Sequence, residues 1–99
     1  MSLLGTGFDW DQGNEANCQK HGVSVAEIEA VFEGDPLVSP DLAHSVAEAR
    51  FVAIGRNGAG RLVFVIFTLR EIGGRRMIKP VSARYMREKE CRRYGRGAG

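Results

Sequence analysis

The sequence predicts an α+β protein in which a small antiparallel sheet has two helices before it and a basic helix after it. Three observations support this prediction. Two helix-compatible segments come first, two apolar segments rich in β-branched residues follow around a turn, and the last segment is helix-compatible and basic. A chain of 99 residues fits one domain. We assign that domain to residues 8–94 and expect flexible ends at residues 1–7 and 95–99.

The N-terminal part of the domain is predicted to contain a short strand and a first helix. Residues 8–11 alternate apolar and acidic side chains, which is typical of a strand at a sheet edge. The polar residues that follow favour a helix from the N-cap Asp11 to Lys20, because Gly22 is a natural stop just beyond it.

The second helix has the clearest start in the chain. Ser24 and Glu27 have the spacing of a capping box, and Val23 and Ile28 have the spacing of a hydrophobic staple. Apolar residues then recur at helical spacing until the Gly-Asp-Pro sequence at residues 34–36 ends the run. This pattern predicts an amphipathic helix packed on a sheet.

A β-hairpin is the next predicted element. Residues 50–55 favour a strand, residues 57–60 favour a turn, and residues 61–68 are continuously apolar, as in a central strand covered on both faces. The aromatic side chains expected in the hydrophobic core are Phe8, Trp10, Phe32, Phe51, Phe64 and Phe67.

The C-terminal part is predicted to add one strand and one helix. Gly73 and Gly74 indicate a turn, after which residues 77–82 can pair back as a strand. Pro80 cannot donate a hydrogen bond to a sheet, so this strand must lie at an edge or contain a bulge. Residues 84–94 favour a strongly basic helix.

Charge is distributed very unevenly along the chain. Residues 1–49 have one lysine against nine acidic residues, whereas residues 50–99 have thirteen basic residues against three acidic ones. This asymmetry favours a nucleic-acid surface or an acidic partner, with a solvated basic helix as the alternative.

The sequence also bears on the compartment and on metal binding. It has no apolar stretch long enough to span a bilayer and no signal peptide, and two cysteines fit a reducing compartment, so we expect a soluble cytoplasmic protein. A zinc site formed by Cys18, His21, His44 and Cys91 is the alternative use of these residues. We do not favour it, because only one closely spaced ligand pair exists; no metal and no cofactor are expected.

Several residue blocks in this chain resemble toxins of the BrnT family. The resemblance covers nearly everything from Phe8 to Tyr94, and two blocks are specific in combination: Lys20-His21-Gly22 and Ser82-Ala83-Arg84. The chain departs from the family pattern at three positions. Gly13 stands where lysine is frequent, Arg87 where threonine is common, and Pro80 where an apolar β-former is usual.

The resemblance implies a fold similar to RelE-type ribonucleases and metal-independent endoribonuclease activity that inhibits growth. It also implies a small DNA-binding, BrnA-like antitoxin that neutralises the toxin, so operator DNA is contacted only through the antitoxin. A homodimer or a hetero-oligomer is compatible with so small a core. No membrane partner is expected.

Cleavage of RNA by its own ribose 2′-oxygen needs proton-transfer groups and cations for the phosphorane. We expect Arg84 and Arg70 to project from one side of the sheet and hold the scissile phosphate. The predicted proton-transfer or phosphate groups are Lys20, His21 and Glu48. Each has a structural alternative: the arginines can pair with Glu48, Glu88 or Glu90, and Lys20 and His21 can simply end a helix.

Five further residues are predicted to contact RNA by charge or by a hydroxyl group. They are Arg50, Thr68, Arg87, Lys89 and Arg92. Arg50 can instead pair with Glu48 across Ala49 on one strand face. The alternative functions that the sequence leaves open are a non-catalytic nucleic-acid-binding regulator and a toxin whose site has decayed.

Overall fold

The protein has the predicted α+β architecture, in a computed structural model that describes residues 7–41 and 48–98. Its elements in chain order are α1 (Gln12–Gln19), α2 (Val25–Glu33), β1 (Leu37–Pro40), β2 (Phe51–Arg56), β3 (Leu62–Ile72), β4 (Arg75–Tyr85) and α3 (Glu88–Ala98). The four strands form one antiparallel sheet in the order β1-β2-β3-β4. No helix in this part of the chain has the length and apolar character needed to cross a membrane.

Both N-terminal helices begin at the predicted caps. Asp11 accepts a hydrogen bond from the amide of Asn14, whose side chain in turn accepts one from the amide of Asp11. Ser24 and Glu27 form the predicted capping box, and Val23 and Ile28 are fully buried beside it. These local contacts satisfy amides that the first helical turn leaves unpaired.

The β3–β4 hairpin is longer than predicted. Its turn is the two-residue Gly73-Gly74, and both glycines have positive φ, as a type I′ turn requires. That turn pairs Ile72 with Arg75 and so continues both strands beyond the apolar segment. Strand β3 therefore passes the predicted end at Thr68.

Strand β4 accommodates Pro80 in both of the predicted ways, because it lies at a sheet edge and contains a bulge. Phe67 pairs with Pro80 while Ile66 pairs with Ser82, which leaves Val81 as the extra residue. Side-chain amides of α1 cover the exposed carbonyls: Asn14 donates to Pro80 O at 2.9 Å and Asn17 to Val81 O at 2.6 Å.

Two further elements differ in extent from the prediction. The predicted N-terminal strand is reduced to a single parallel bridge between Phe8 and Ile78. The last helix begins at Glu88, so Arg84 lies on strand β4 instead of on a helix. Pairing of Phe64 with Arg84 holds this segment extended despite its helical composition.

The hydrophobic core lies between the sheet and helices α1 and α2. Phe32 of α2 is 1% exposed and makes edge-to-face contacts with Phe8 and Phe67. Trp10 and Phe51 pack at the margin of this core, as predicted. The prediction for Phe64 is wrong: it lies outside the core cluster, beneath the Arg84 guanidinium group, because it alternates with Val63 and Val65.

Thr68 is a source of instability within the sheet. It is 1% exposed, and within the described part of the chain its hydroxyl has no hydrogen-bond partner. An unsatisfied buried hydroxyl costs about 1–3 kcal/mol. We therefore expect Thr68→Val to raise the free energy of unfolding by about 1 kcal/mol in urea titrations. Thr68→Ser, which keeps the hydroxyl, is the control and should give no gain; a destabilised Thr68→Val variant would contradict the explanation.

Candidate nucleic-acid interface

One face of the sheet is turned away from α1 and α2 and is called the open face here. Alternation along the strands assigns to it Val52, Ile54, Phe64, Ile66, Thr68, Arg70, Ser82 and Arg84. At its centre the apolar side chains are partly exposed and Thr68 is buried, and Arg70 of β3 and Arg84 of β4 lie towards its two ends. This arrangement combines apolar contact area with positive charge.

Arg84 is held in a fixed orientation at one end of the open face. Its Nη1 and Nη2 atoms donate to the two carboxylate oxygens of Glu90 at 2.7 and 3.0 Å, and its guanidinium carbon lies 4.5 Å from the centre of the Phe64 ring. Hydrogen bonding to Glu90 raises the pKa of Arg84, so the group stays cationic. Of the alternatives predicted for this arginine, the pairing with Glu90 is the one observed.

Glu90 connects Arg84 to the start of helix α3. It also accepts a hydrogen bond from the amide of Arg87 at 3.0 Å. The Arg87 side chain has no oxygen that could cap the helix, and Glu90 supplies the other half of a capping box through this bond. Hydrogen bonding from Arg84 and Arg87 lowers the pKa of Glu90 to about 2.

Arg70 shares the open face with Arg84 but not the same site. Phe64 pairs with Arg84, and Arg70 lies six residues further along β3, opposite Met77. At about 3.3 Å per residue this separates the two arginines by roughly 20 Å. The structure does not bring these two arginines together, because antiparallel pairing places the C-terminal ends of β3 and β4 at opposite ends of the ladder.

Arg70 instead has basic and polar neighbours of its own. Lys79 pairs with Thr68 across the β3–β4 ladder and lies 3.5 Å from Asp11. Phe51 of β2 pairs with Phe67 of β3, so one further step in the same register places Arg50 beside Thr68, on the side away from Lys79. The buried Thr68 hydroxyl does not reach the surface, which argues against its predicted contact with RNA.

Lys20 and His21 lie on the helix side of the sheet, near the end of β4. Both are exposed, and Lys20 is the C-cap of α1. The carbonyl of Gly22 lies 3.4 Å from the hydroxyl of Tyr85, which fixes the position of this segment. Tyr85 and Arg84 point to opposite faces, so β4 separates Arg84 from Lys20 and His21.

The remaining predicted site residues are exposed. Glu48 precedes β2, which begins at Phe51, so strand alternation does not apply to it. Arg87, Lys89 and Arg92 lie at the start of α3 or on it, and Arg92 pairs with Glu88 at 2.7 Å. The three basic residues among them place positive charge at the surface of this end of the chain.

A cluster around Glu27 was not among the predicted sites. The Glu27 carboxylate accepts hydrogen bonds from the Tyr85 hydroxyl at 2.6 Å and the Asn57 side chain at 2.8 Å, besides the Ser24 amide. The Arg61 guanidinium lies 3.7 Å from the centre of the Tyr85 ring. The capping box reveals only the local part of this cluster, because its other members come from distant strands and turns.

The Glu27 cluster makes stability depend on pH. Hydrogen bonds from Tyr85, Ser24 and Asn57 lower the pKa of Glu27 to about 2, from an ordinary value of 4.5. A carboxylate with a lowered pKa in the folded state contributes stability above its unfolded pKa and loses it as the pH falls. We expect the free energy of unfolding to decline between about pH 4.5 and 2.

Glu27→Gln tests this assignment, because it removes the charge and leaves the side-chain size. The variant should be less stable than the parent at pH 7 and should lose stability less steeply below pH 4.5, measured by thermal unfolding across pH. Glu33→Gln on the same helix is the control, since Glu33 is exposed. Identical pH profiles for Glu27→Gln and the parent would contradict the prediction.

Cys18, His21 and Cys91, the described members of the alternative zinc site, do not form one cluster. Cys18 is fully buried in the core, where burial raises the pKa of its thiol to about 11, whereas His21 is exposed. Both cysteines are free. His44 lies outside the described residues. Within residues 7–41 and 48–98, no three His, Cys, Asp or Glu side chains are grouped as a metal site requires.

Fold and open face together define a class: a small α+β protein whose antiparallel sheet presents cationic side chains on the face turned away from α1 and α2. The comparison with known families agrees. Residues 10–90 match the family model described as the ribonuclease toxin, BrnT, of type II toxin-antitoxin systems. The chain therefore belongs to the BrnT family of ribonuclease toxins. A search of curated proteins finds no match.

Proposed function

We propose that this protein is a metal-independent endoribonuclease whose site centres on Arg84. One observation carries the proposal: the Arg84 guanidinium is already aligned on an anionic group by two parallel hydrogen bonds, over the ring of Phe64. Phosphate oxygens accept the same pair of hydrogen bonds as a carboxylate. The aromatic ring provides a surface against which a nucleic-acid base can stack.

The proposed reaction is transesterification within the RNA. The ribose 2′-oxygen attacks the adjacent phosphorus as its proton leaves, a P–O bond to the 2′-oxygen forms, and the bond to the 5′-oxygen breaks as that atom takes up a proton. Arg84 stabilises the negative charge that develops on the phosphorane oxygens. The products are a 2′,3′-cyclic phosphate and a 5′-hydroxyl end.

Lys20 and His21 remain the proposed proton-transfer or phosphate groups. Their support is their position: β4 is an edge strand, so RNA crossing this edge meets Arg84 on one side and the end of α1 on the other. The proposed RNA contacts further along the chain are Arg50, Arg70, Arg87, Lys89 and Arg92. Glu48 has no described contact that supports a catalytic role.

The proposed biological role is growth inhibition in the cytoplasm, reversed by a BrnA-like antitoxin. The antitoxin would bind operator DNA, and the toxin would contact that DNA only through it. The excess of basic residues after residue 49 supports an acidic partner surface as well as RNA. A homodimer or a hetero-oligomer with the antitoxin is part of this proposal.

The test is incubation of the purified protein with RNA in excess EDTA. We expect cleavage that EDTA does not reduce, with cyclic phosphate and 5′-hydroxyl ends identified by mass spectrometry. A 2′-O-methyl RNA of the same sequence is the matched control and should stay intact, since its 2′-oxygen cannot attack. Loss of cleavage in EDTA, or 5′-phosphate ends, would overturn the mechanism.

The separation of Arg84 from Lys20 and His21 by β4 favours a second candidate, a non-catalytic nucleic-acid-binding regulator or a decayed toxin. Such a protein would bind RNA without cutting it. Its affinity would fall gradually as charges are removed, and would weaken with salt.

A further inference from the structure

In the proposed function a phosphate binds the guanidinium group of Arg84, but a carboxylate of the same chain already occupies that position. Both terminal nitrogens of Arg84 are bonded to the Glu90 carboxylate, at 2.7 and 3.0 Å. A phosphate that uses the same two nitrogens must replace both of these hydrogen bonds. The two anions therefore exclude one another.

We infer that Glu90 competes with the RNA phosphate for Arg84, so that RNA binds only when the first turn of α3 has moved its carboxylate away. The inference rests on the proposed function and adds a residue that sets the affinity of the site. RNA selects the state in which Arg84 is free, and its apparent affinity is reduced by the population of that state.

The structure favours release of Glu90 because α3 is held weakly. Helices α1 and α2 contribute side chains to the hydrophobic core against the sheet, whereas none of residues 88–93 of α3 belongs to that core. Its described contacts near the sheet are the Arg84–Glu90 pair and a 3.8 Å contact from the Cys91 thiol to the carbonyl of Met86. Side chains of Arg84 and Glu90 are 37% and 34% exposed, so water and salt weaken their attraction.

Glu90→Gln separates competition from helix capping. A glutamine oxygen can still accept the hydrogen bond from the Arg87 amide, since capping boxes use Glu or Gln, but it no longer carries a charge for Arg84. We expect the variant to bind a fluorescent 2′-O-methyl RNA decamer about 3- to 10-fold more tightly than the parent, as loss of a partly exposed ion pair permits. Circular dichroism should report an unchanged helix content.

Two comparisons make the test specific. Glu88→Gln changes the charge of the same helix equally and releases Arg92, a proposed RNA contact, but leaves Arg84 paired with Glu90, so its gain should be smaller and should not depend on Arg84. In an Arg84→Ala background, Glu90→Gln should gain no more than Glu88→Gln does. A purely structural role of Glu90 would produce no such dependence on Arg84.

The outcomes separate this inference from the proposed function. One contrary result is that the parent binds the RNA and Glu90→Gln binds it no more tightly; another is that Glu90→Gln and Glu88→Gln gain the same affinity. Either result would overturn the competition and leave the ribonuclease proposal intact. A gain of Glu90→Gln that still exceeds the gain of Glu88→Gln in the Arg84→Ala background would overturn it too. Absence of RNA binding and cleavage in every variant would overturn both.

Discussion

Replacing Arg84 with alanine is expected to lower the rate of RNA cleavage by at least about 100-fold. The reason is electrostatic: loss of one group that stabilises the developing charge typically costs about 10²–10³ in rate. The measurement is single-turnover cleavage of a labelled oligoribonucleotide in EDTA, with the parent and the variant purified identically. Arg84→Lys should recover only part of the lost rate, because an ammonium group lacks the planar fork.

Arg93→Ala is the matched control for charge, because Arg93 is exposed on α3 and has no proposed role in the site. Its cleavage rate should stay within a few-fold of the parent. Thermal unfolding and circular dichroism must show that Arg84→Ala is folded, since its contact with Phe64 is also lost. A folded Arg84→Ala variant with parental activity would remove Arg84 from the site.

Phe32→Ala is expected to have the largest effect on stability. Phe32 is 1% exposed and contacts the rings of Phe8 and Phe67, so the substitution leaves a cavity at the centre of the core. Substitutions of this kind cost about 3–5 kcal/mol, a large part of the roughly 5–15 kcal/mol that stabilises a small domain. At about 4–8 °C per kcal/mol, Tm should fall by at least about 12 °C in calorimetry.

Leu37→Ala is the control for Phe32→Ala. Leu37 is apolar but 56% exposed on the edge strand β1, so its removal should change the free energy of unfolding by no more than about 0.5 kcal/mol. Similar Tm values for Phe32→Ala and the parent would mean that the rings at residues 8, 32 and 67 do not form the centre of the core.

Local interactions explain the parts of the fold that the sequence predicts correctly. Ser24 and Glu27 satisfy each other within one helical turn, and Gly73 and Gly74 determine their own turn, so neither depends on distant residues. Strand β1 has no such local pattern: its residues pair with β2 across a long connection, and Leu37 stays exposed. The structure there depends on partners that periodicity does not reveal.

The site shows the same division between local and distant contacts. The sequence marks Arg84 as important and names Glu90 among its partners, but the choice of Glu90 depends on α3 beginning at Glu88. The roughly 20 Å between Arg84 and Arg70 depends on the antiparallel register of β3 and β4, which the turn at Gly73 and the bulge at Val81 set. Neither the choice of Glu90 as the partner of Arg84 nor the distance between Arg84 and Arg70 follows from residue type.

The two cysteines differ in burial, so one of them can be labelled selectively. Cys18 is enclosed in the core with its thiol protonated, whereas Cys91 is half-buried on α3, next to Glu90 in sequence. The thiolate is the nucleophile that adds to the double bond of a maleimide, and the reagent needs access to it, so a maleimide dye should attach to native protein at Cys91. Fluorescence from that one position can then follow α3 during RNA binding, without any engineered cysteine.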